Sequence, residues 1–212
     1  MNVPISLSTA QYVVELVAVL AFALSGIIEA ARRRLDAVGV CTVAGLAAFG
    51  GGTIRDVLLD RRPLFWVAHS ELLWMVLLLC IAAMLFMRSR HFEITERAMQ
   101  WPDAIGLGLF TAGGTQIALD SEVPALVAVI MGMITAVFGG VLRDIVCNDI
   151  PRVLSDHRPY AVCAFIGGWL MVFCVWMGLS EWACLVISAL TATFLRMLAM
   201  RFDWQIPSWK VD

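Results

Sequence analysis

Two short motifs combine residue types that can bind ions or charged solutes in an apolar environment. The first reads Gly50-Gly51-Gly52-Thr53-Ile54-Arg55-Asp56 and the second reads Gly139-Gly140-Val141-Leu142-Arg143-Asp144, with Gly139 placed 88 residues after Gly51. An arginine within an apolar segment almost always faces a partner or a cavity. Glycine pairs permit a sharp helix kink, and the carbonyls that a kink exposes attract cations. The doubled motif therefore predicts a role in ion or solute passage.

The glycines themselves have two interpretations. A kink that lines a wet cavity is one, because irregular backbone at membrane depth is tolerated where it is buried in protein or faces water. Close approach of two helices is the other, because small residues let backbones come together. The charged pair that follows the glycines in both copies favours the kink with a cavity.

Arg55 and Arg143 need partners, and the depth of each along its apolar run suggests which. Glu15 lies in the preceding run at about the depth of Arg55, and Asp103 lies correspondingly near Arg143. We therefore predict two pseudo-symmetric charge clusters that flank a central constriction. The alternative is that these charges are interfacial and solvated.

Further polar residues accompany the arginines. Asp56 and Asp144 adjoin them in sequence, but adjacent helical residues do not face each other, so we expect both carboxylates to cap or pair elsewhere. Between the clusters, small and hydroxyl residues could solvate an ion or simply pack helices: Ser25, Gly26, Thr111, Gly113, Gly114 and Thr115.

Composition shows where these residues sit. Of the 212 residues, 61% are hydrophobic and only 15% are charged, and the mean hydropathy is +0.86. A soluble domain carries about 45–50% apolar and about 25% charged residues, so the chain is predicted to be an integral membrane protein. The first apolar run follows no cleavable leader and is interpreted as a retained span. The six cysteines lie singly in apolar runs, which indicates no metal site, cofactor or disulfide framework.

The apolar runs predict an all-α fold with seven transmembrane helices in one membrane domain, residues 1–212. The predicted spans are residues 11–31, 37–62, 72–87, 101–119, 125–147, 160–177 and 182–200. The third span could extend backwards through Phe65-Trp66-Val67. Matches at the same offset of 88 extend beyond the motifs, including Phe22 with Phe110 and Ala48 with Ala136. These matches divide the domain into repeat 1 (11–87), an inverted repeat 2 (101–178) and a separate seventh helix (182–200).

The distribution of basic residues predicts the orientation. Connectors after spans one, three and five and the C-terminal tail hold most of the arginines and lysines: Arg32, Arg33, Arg34, Arg88, Arg90, Arg97, Arg152, Arg158, Arg201 and Lys210. The opposite face has only Arg61 and Arg62, with Arg55 leaning towards it. The positive-inside rule then places the N-terminus outside and the C-terminus in the cytoplasm.

Two three-helix repeats plus a seventh helix, each repeat carrying Gly-Gly-x-x-Arg-Asp, resemble the prokaryotic trimeric intracellular cation channels, a group also listed as a glycine transporter family. The resemblance covers about residues 11–200. It implies a homotrimer among membrane lipids, in which every protomer has its own pore for potassium and sodium ions, lined by spans one, two, four and five. The lysine-containing phosphoinositide motif of the animal members has no convincing match here.

The predicted ion path comprises the motif residues and the side chains expected to accompany them: Gly50, Gly51, Gly52, Arg55, Asp56, Gly139, Gly140, Arg143, Asp144, Glu15, Asp103, Ser25, Thr111 and Thr115. A cation channel is the leading interpretation. A secondary transporter for glycine or a similar zwitterion is the rival, and a purely structural membrane protein is a third possibility, against which the intramembrane arginines argue. The sequence contains no catalytic constellation and no soluble domain for an enzyme or for nucleic-acid binding.

Overall fold

The structure is a computed structural model that describes residues 7–88 and 96–205. Within these ranges all regular structure is helical. The helices in chain order are α1 (Thr9–Arg32), α2 (Ala37–Leu58), α3 (Phe65–Ala68), α4 (Glu71–Arg88), α5 (Glu96–Asp120), α6 (Ala125–Val146), α7 (Arg152–Ser155), α8 (Ala161–Trp176) and α9 (Glu181–Arg201). Arg90 and Lys210, which contribute to the predicted orientation, lie outside the described residues.

Within residues 7–88 and 96–205, the long helices lie over the predicted apolar runs. Four of them, α1, α2, α6 and α9, are long and apolar enough to cross a membrane, and α4 and α8 contain shorter apolar segments at 71–86 and 161–176. The third run does not extend backwards as one helix, because Phe65–Ala68 forms the separate helix α3. The N-terminus of that short helix is fixed from outside it, by the Asp56 carboxylate that accepts the Phe65 N–H.

Within the described residues, helices of the two halves of the chain make corresponding contacts. Helices α1, α2, α5 and α6 form the centre. Both α1 and α6 pack on α2 and α5 there. Helix α4 covers α1 and α2, while α8 covers α5 and α6 in the corresponding way. Helix α9 packs mainly on α5 and α8, outside this arrangement.

The contacts between the two halves at the centre are reciprocal. Phe22 and Phe110 stack with ring centroids 5.5 Å apart. The backbone at Gly51 meets the carbonyl of Thr135 so closely that a Cβ could not fit, and Gly139 meets the carbonyl of Ala47 in the same way. Each contact thus has a counterpart 88 residues along the chain. Helices α2 and α6 therefore cross with their backbones in direct contact.

Local backbone conformation repeats as well. Arg34 and Glu122, which precede α2 and α6, have φ of 55° and 58°, and Asp60 and Asn148, which follow α2 and α6, have φ of 50° and 59°. Left-handed residues of this kind end a helix and redirect the chain. The two halves consequently turn at matching places.

Hydrogen bonds and ion pairs group the connectors at two opposite ends of the helices. At one end, Ser8 donates to Glu181, Gln11 to Asp120 and Tyr12 to Glu71. At the other end, Arg33 pairs with Asp149 and Arg158 with Asp203. This grouping is the one that an alternating up-and-down path requires.

Candidate functional site

The first cluster consists of Glu15, Arg55 and Asp56, each 1% exposed. The Arg55 guanidinium donates from Nη1 to Glu15 Oε1 at 2.5 Å and from Nε to Asp56 Oδ1 at 2.8 Å. Asp56 Oδ2 accepts the backbone N–H of Phe65 at 2.8 Å. The Phe65 ring lies 5.4 Å from the guanidinium carbon and shields the cluster on that side.

The second cluster consists of Asp103, Arg143 and Asp144. Its side-chain bonds correspond to those of the first cluster, whereas its backbone donor is shifted by one residue, since Arg152 lies 87 residues after Phe65. Arg143 donates from Nη1 to Asp103 Oδ1 at 2.5 Å and from Nε to Asp144 Oδ1 at 2.9 Å. Asp144 Oδ2 accepts the backbone N–H of Arg152 at 2.9 Å. Each cluster thus surrounds one guanidinium with two carboxylates. One of these carboxylates also accepts a backbone N–H at the start of the following short helix.

The predicted pairings of Arg55 with Glu15 and of Arg143 with Asp103 are confirmed. The alternative of interfacial, solvated charge is wrong, because both arginines are buried. The expectation that Asp56 and Asp144 cap or pair elsewhere is confirmed for capping, but it is wrong that they do not pair with their neighbouring arginines. Both residues lie in the last turn of their helices, where the long arginine side chain reaches the adjacent carboxylate, and the same carboxylates also cap the next short helix.

The glycines of both motifs lie within unbroken helix and are buried. Gly51 and Gly139 form the backbone crossing of α2 and α6. Gly50 lies against Leu142 of α6, and the Phe65 ring covers Gly52. Gly140 borders the second cluster, since a Cβ there would lie 3.5 Å from the side chains of Arg143 and Tyr160. These contacts are close packing of helices, and the kink beside a wet cavity stays a prediction.

The two clusters differ in their hydroxyl groups. Ser25 Oγ accepts from Arg143 Nη1 at 2.5 Å, and Tyr160 Oη donates to Asp103 Oδ2 at 2.7 Å. Ser25, predicted to lie between the clusters, therefore belongs to the second cluster, and Tyr160 was not among the predicted residues. The only available signal for Tyr160 was that a hydroxyl stands there while the position 88 residues earlier is Leu72.

Thr111 and Thr115 lie away from both clusters, in the packing of α5 with its neighbours. Thr111 Oγ1 donates to the Leu107 carbonyl at 2.7 Å, and Thr115 Oγ1 has no hydrogen-bond partner within the described ranges. Both threonines pack against Gly132 of α6. They are buried at a close helix contact, and their part in an ion path stays a prediction.

A further ion network, which sequence analysis missed, lies at the end of α1. The buried Glu29 accepts from Arg32 at 2.7 Å, from Arg33 at 3.1 Å and from Arg152 at 3.4 Å. It ties α1 to α7. Among residues 7–88 and 96–205, no three His, Cys, Asp or Glu side chains are grouped so as to hold a metal ion.

Comparison with known proteins adds independent information. A family model described as Glycine transporter matches residues 12–88 and again residues 100–176. The UPF0126 membrane protein of Vibrio cholerae is 34% identical over 197 residues, which cover 93% of this chain and 82% of that protein. A UPF0126 inner membrane protein of Escherichia coli K12 is 31% identical over 95% of this chain and 97% of its own length.

The fold also matches a solved structure. The crystal structure of a TRIC trimeric intracellular cation channel orthologue from Rhodobacter sphaeroides superposes with a TM-score of 0.85 at 28% identity. The match covers 93% of this chain and all of that one. The likeness therefore extends over the helices that hold both clusters.

Proposed function

This chain belongs to the Glycine transporter family, and from that membership and its fold we propose that it is a passive channel for monovalent cations in the bacterial inner membrane. The observation that carries the proposal is the likeness, over the whole of that chain, to a solved trimeric cation channel. That relative is described as a channel and not as an enzyme. Membership in a family of inner membrane proteins supports the location.

The proposed architecture is a single membrane domain with seven spans, arranged as two inverted three-helix repeats and a seventh helix. Two matches of one family model, starting at residues 12 and 100, support the repeat. Three helices per repeat would invert the second copy, with the N-terminus outside and the C-terminus in the cytoplasm. By analogy with the trimeric relative, three protomers assemble and each has its own pore.

We place the ion path between α1, α2, α5 and α6, beside the two clusters. Each cluster holds one guanidinium and two carboxylates, so each carries a net negative charge that favours cations over anions. Potassium and sodium are the proposed ions. The motif glycines contribute by bringing α2 and α6 together, which would fix the width of the path at the centre.

A glycine transporter, the rival function, is not favoured. Such a protein would use an arginine to bind the substrate carboxylate. Arg55 and Arg143 already donate to two carboxylates each within the protein, at 2.5 to 2.9 Å. A substrate carboxylate would have to displace one of these buried partners.

Recording of single-channel currents from purified protein in planar bilayers tests the proposal. With a KCl gradient across the bilayer, we expect unitary currents that reverse near the potassium equilibrium potential and that disappear when N-methylglucamine replaces potassium. Absence of currents, together with saturable glycine uptake by proteoliposomes of the same preparation, would contradict the channel and establish the transporter.

A further inference from the structure

One carboxylate oxygen distinguishes the first cluster from the second. Glu15 Oε1 accepts from Arg55, but Glu15 Oε2 is buried and has no hydrogen-bond partner within the described ranges. Leaving a buried acceptor without a partner costs about 1–3 kcal/mol, and more for a charged group. This oxygen is therefore a strong acceptor for any small cationic ligand that can reach it.

The second cluster shows what satisfies the corresponding oxygen. Asp103 Oδ2 accepts the hydroxyl of Tyr160 at 2.7 Å. The position equivalent to Tyr160 in the first half is Leu72, which is buried and cannot donate a hydrogen bond. The difference between the clusters thus depends on one side chain, located at the start of α4 in one half and immediately before α8 in the other.

The charges around Glu15 favour a cation of single charge. The first cluster holds two carboxylates, those of Glu15 and Asp56, and one guanidinium, that of Arg55. One negative charge of the cluster therefore remains uncompensated. One monovalent cation would neutralise this charge, whereas a divalent ion would leave the buried cluster with a net positive charge.

We propose that Glu15 Oε2 anchors a binding site for one monovalent cation at the first cluster, and that the second cluster has no such site. The inference rests on the proposed function, because it identifies where a permeating ion is held. Tyr160 and Leu72 decide between the two clusters: the tyrosine hydroxyl occupies the carboxylate oxygen in one, and the leucine leaves it open in the other.

The melting temperature of the purified full-length protein in detergent tests the site, with KCl titrated against N-methylglucamine chloride at constant ionic strength. A cation that binds only the folded protein raises the melting temperature as its concentration increases. We expect saturable stabilisation of the parent protein. In Glu15→Gln we expect the half-saturating KCl concentration to rise at least about tenfold, a loss of roughly 1.4 kcal/mol of binding.

Two variants at the deciding positions keep the test sharp if Glu15→Gln fails to fold. Leu72→Tyr offers Glu15 Oε2 a hydroxyl and should abolish the potassium effect. Tyr160→Phe frees Asp103 Oδ2 and should add a second, similar stabilisation. Potassium stabilisation that is the same in the parent, in Leu72→Tyr and in Tyr160→Phe would overturn the inference.

Bilayer recordings separate failure of the site from failure of the function. Potassium currents from a protein whose melting temperature ignores potassium would overturn the site and leave the channel intact. Saturable binding that depends on Glu15, from a protein that gives no currents, would support the site and contradict the channel.

Discussion

At the scale of single residues, burial of the charged side chains carries a large desolvation free energy. Each buried arginine is acceptable because two carboxylates and a nearby aromatic or hydroxyl group surround it. Buried ion pairs are a weak source of net stability, but removal of one partner leaves the other charge buried and uncompensated. The clusters should therefore be far less tolerant of single substitutions than of matched ones.

Replacement of Arg143 by Met tests this point. Because Asp103 and Asp144 would lose their shared cation, we expect the free energy of unfolding to fall by about 3–5 kcal/mol. Denaturant titration of the purified protein in detergent measures it. Arg62, which is exposed, provides the control: Arg62→Met should change the value by less than about 0.5 kcal/mol. Equal stability of the two variants would show that the cluster does not require its arginine.

At the scale of helices, the close crossing of α2 and α6 depends on glycine at two reciprocal positions. A Cβ at Gly51 would collide with the Thr135 carbonyl, and one at Gly139 with the Ala47 carbonyl. Both obstacles are backbone atoms, so no rotation of a side chain can relieve the collision. The two helices would have to separate.

Alanine substitutions distinguish this crossing from ordinary helical glycine. Gly51→Ala and Gly139→Ala should each lower the free energy of unfolding by about 1–3 kcal/mol or more, as overpacking does. Gly45 lies in the same helix, and a Cβ there would meet nothing within 4 Å. Gly45→Ala should therefore be neutral or stabilising by up to about 1 kcal/mol. Thermal unfolding in detergent compares the three, and similar losses in all of them would contradict a specific crossing.

The sequence predicts the long helices well, because long apolar runs and their charged boundaries leave few alternatives. It predicts the short helices α3 and α7 poorly, since four residues carry no periodic pattern and their N-termini are held by Asp56 and Asp144 from another helix. The pairings of Glu15 and Asp103 could be predicted from depth alone. Tyr160 could not, because its contact with Asp103 depends on how α8 packs on α5.

At the scale of the whole molecule, the two ends of the bundle differ in charge. At one end, Arg32, Arg33 and Arg152 pair with Glu29, and Arg158 pairs separately with Asp203. The other end has Glu181, Asp120 and Glu71 in its hydrogen bonds. From this difference the positive-inside rule predicts the proposed orientation, with the C-terminus in the cytoplasm.

Reporter fusions test that orientation. Green fluorescent protein fused after the last residue should fluoresce, and alkaline phosphatase fused at the same place should be inactive, because the C-terminus is predicted to be cytoplasmic. A phosphatase fusion after Asp120, between α5 and α6, is the control and should be active. The reverse pattern of activities would show that the chain inserts the other way round.

The reciprocal contacts at the centre have a further consequence. Phe22 stacks on its own counterpart Phe110. The contact of Gly51 with Thr135 and that of Gly139 with Ala47 are related by the same offset of 88 residues. The surface between the halves is thus of the isologous kind found in symmetric dimers, where any change is felt twice. Joining both halves in one chain removes that constraint. Ser25 binds Arg143, whereas its counterpart is Gly113. Tyr160 binds Asp103, whereas its counterpart is Leu72. Two similar clusters within one chain can therefore differ in their side chains and in their function.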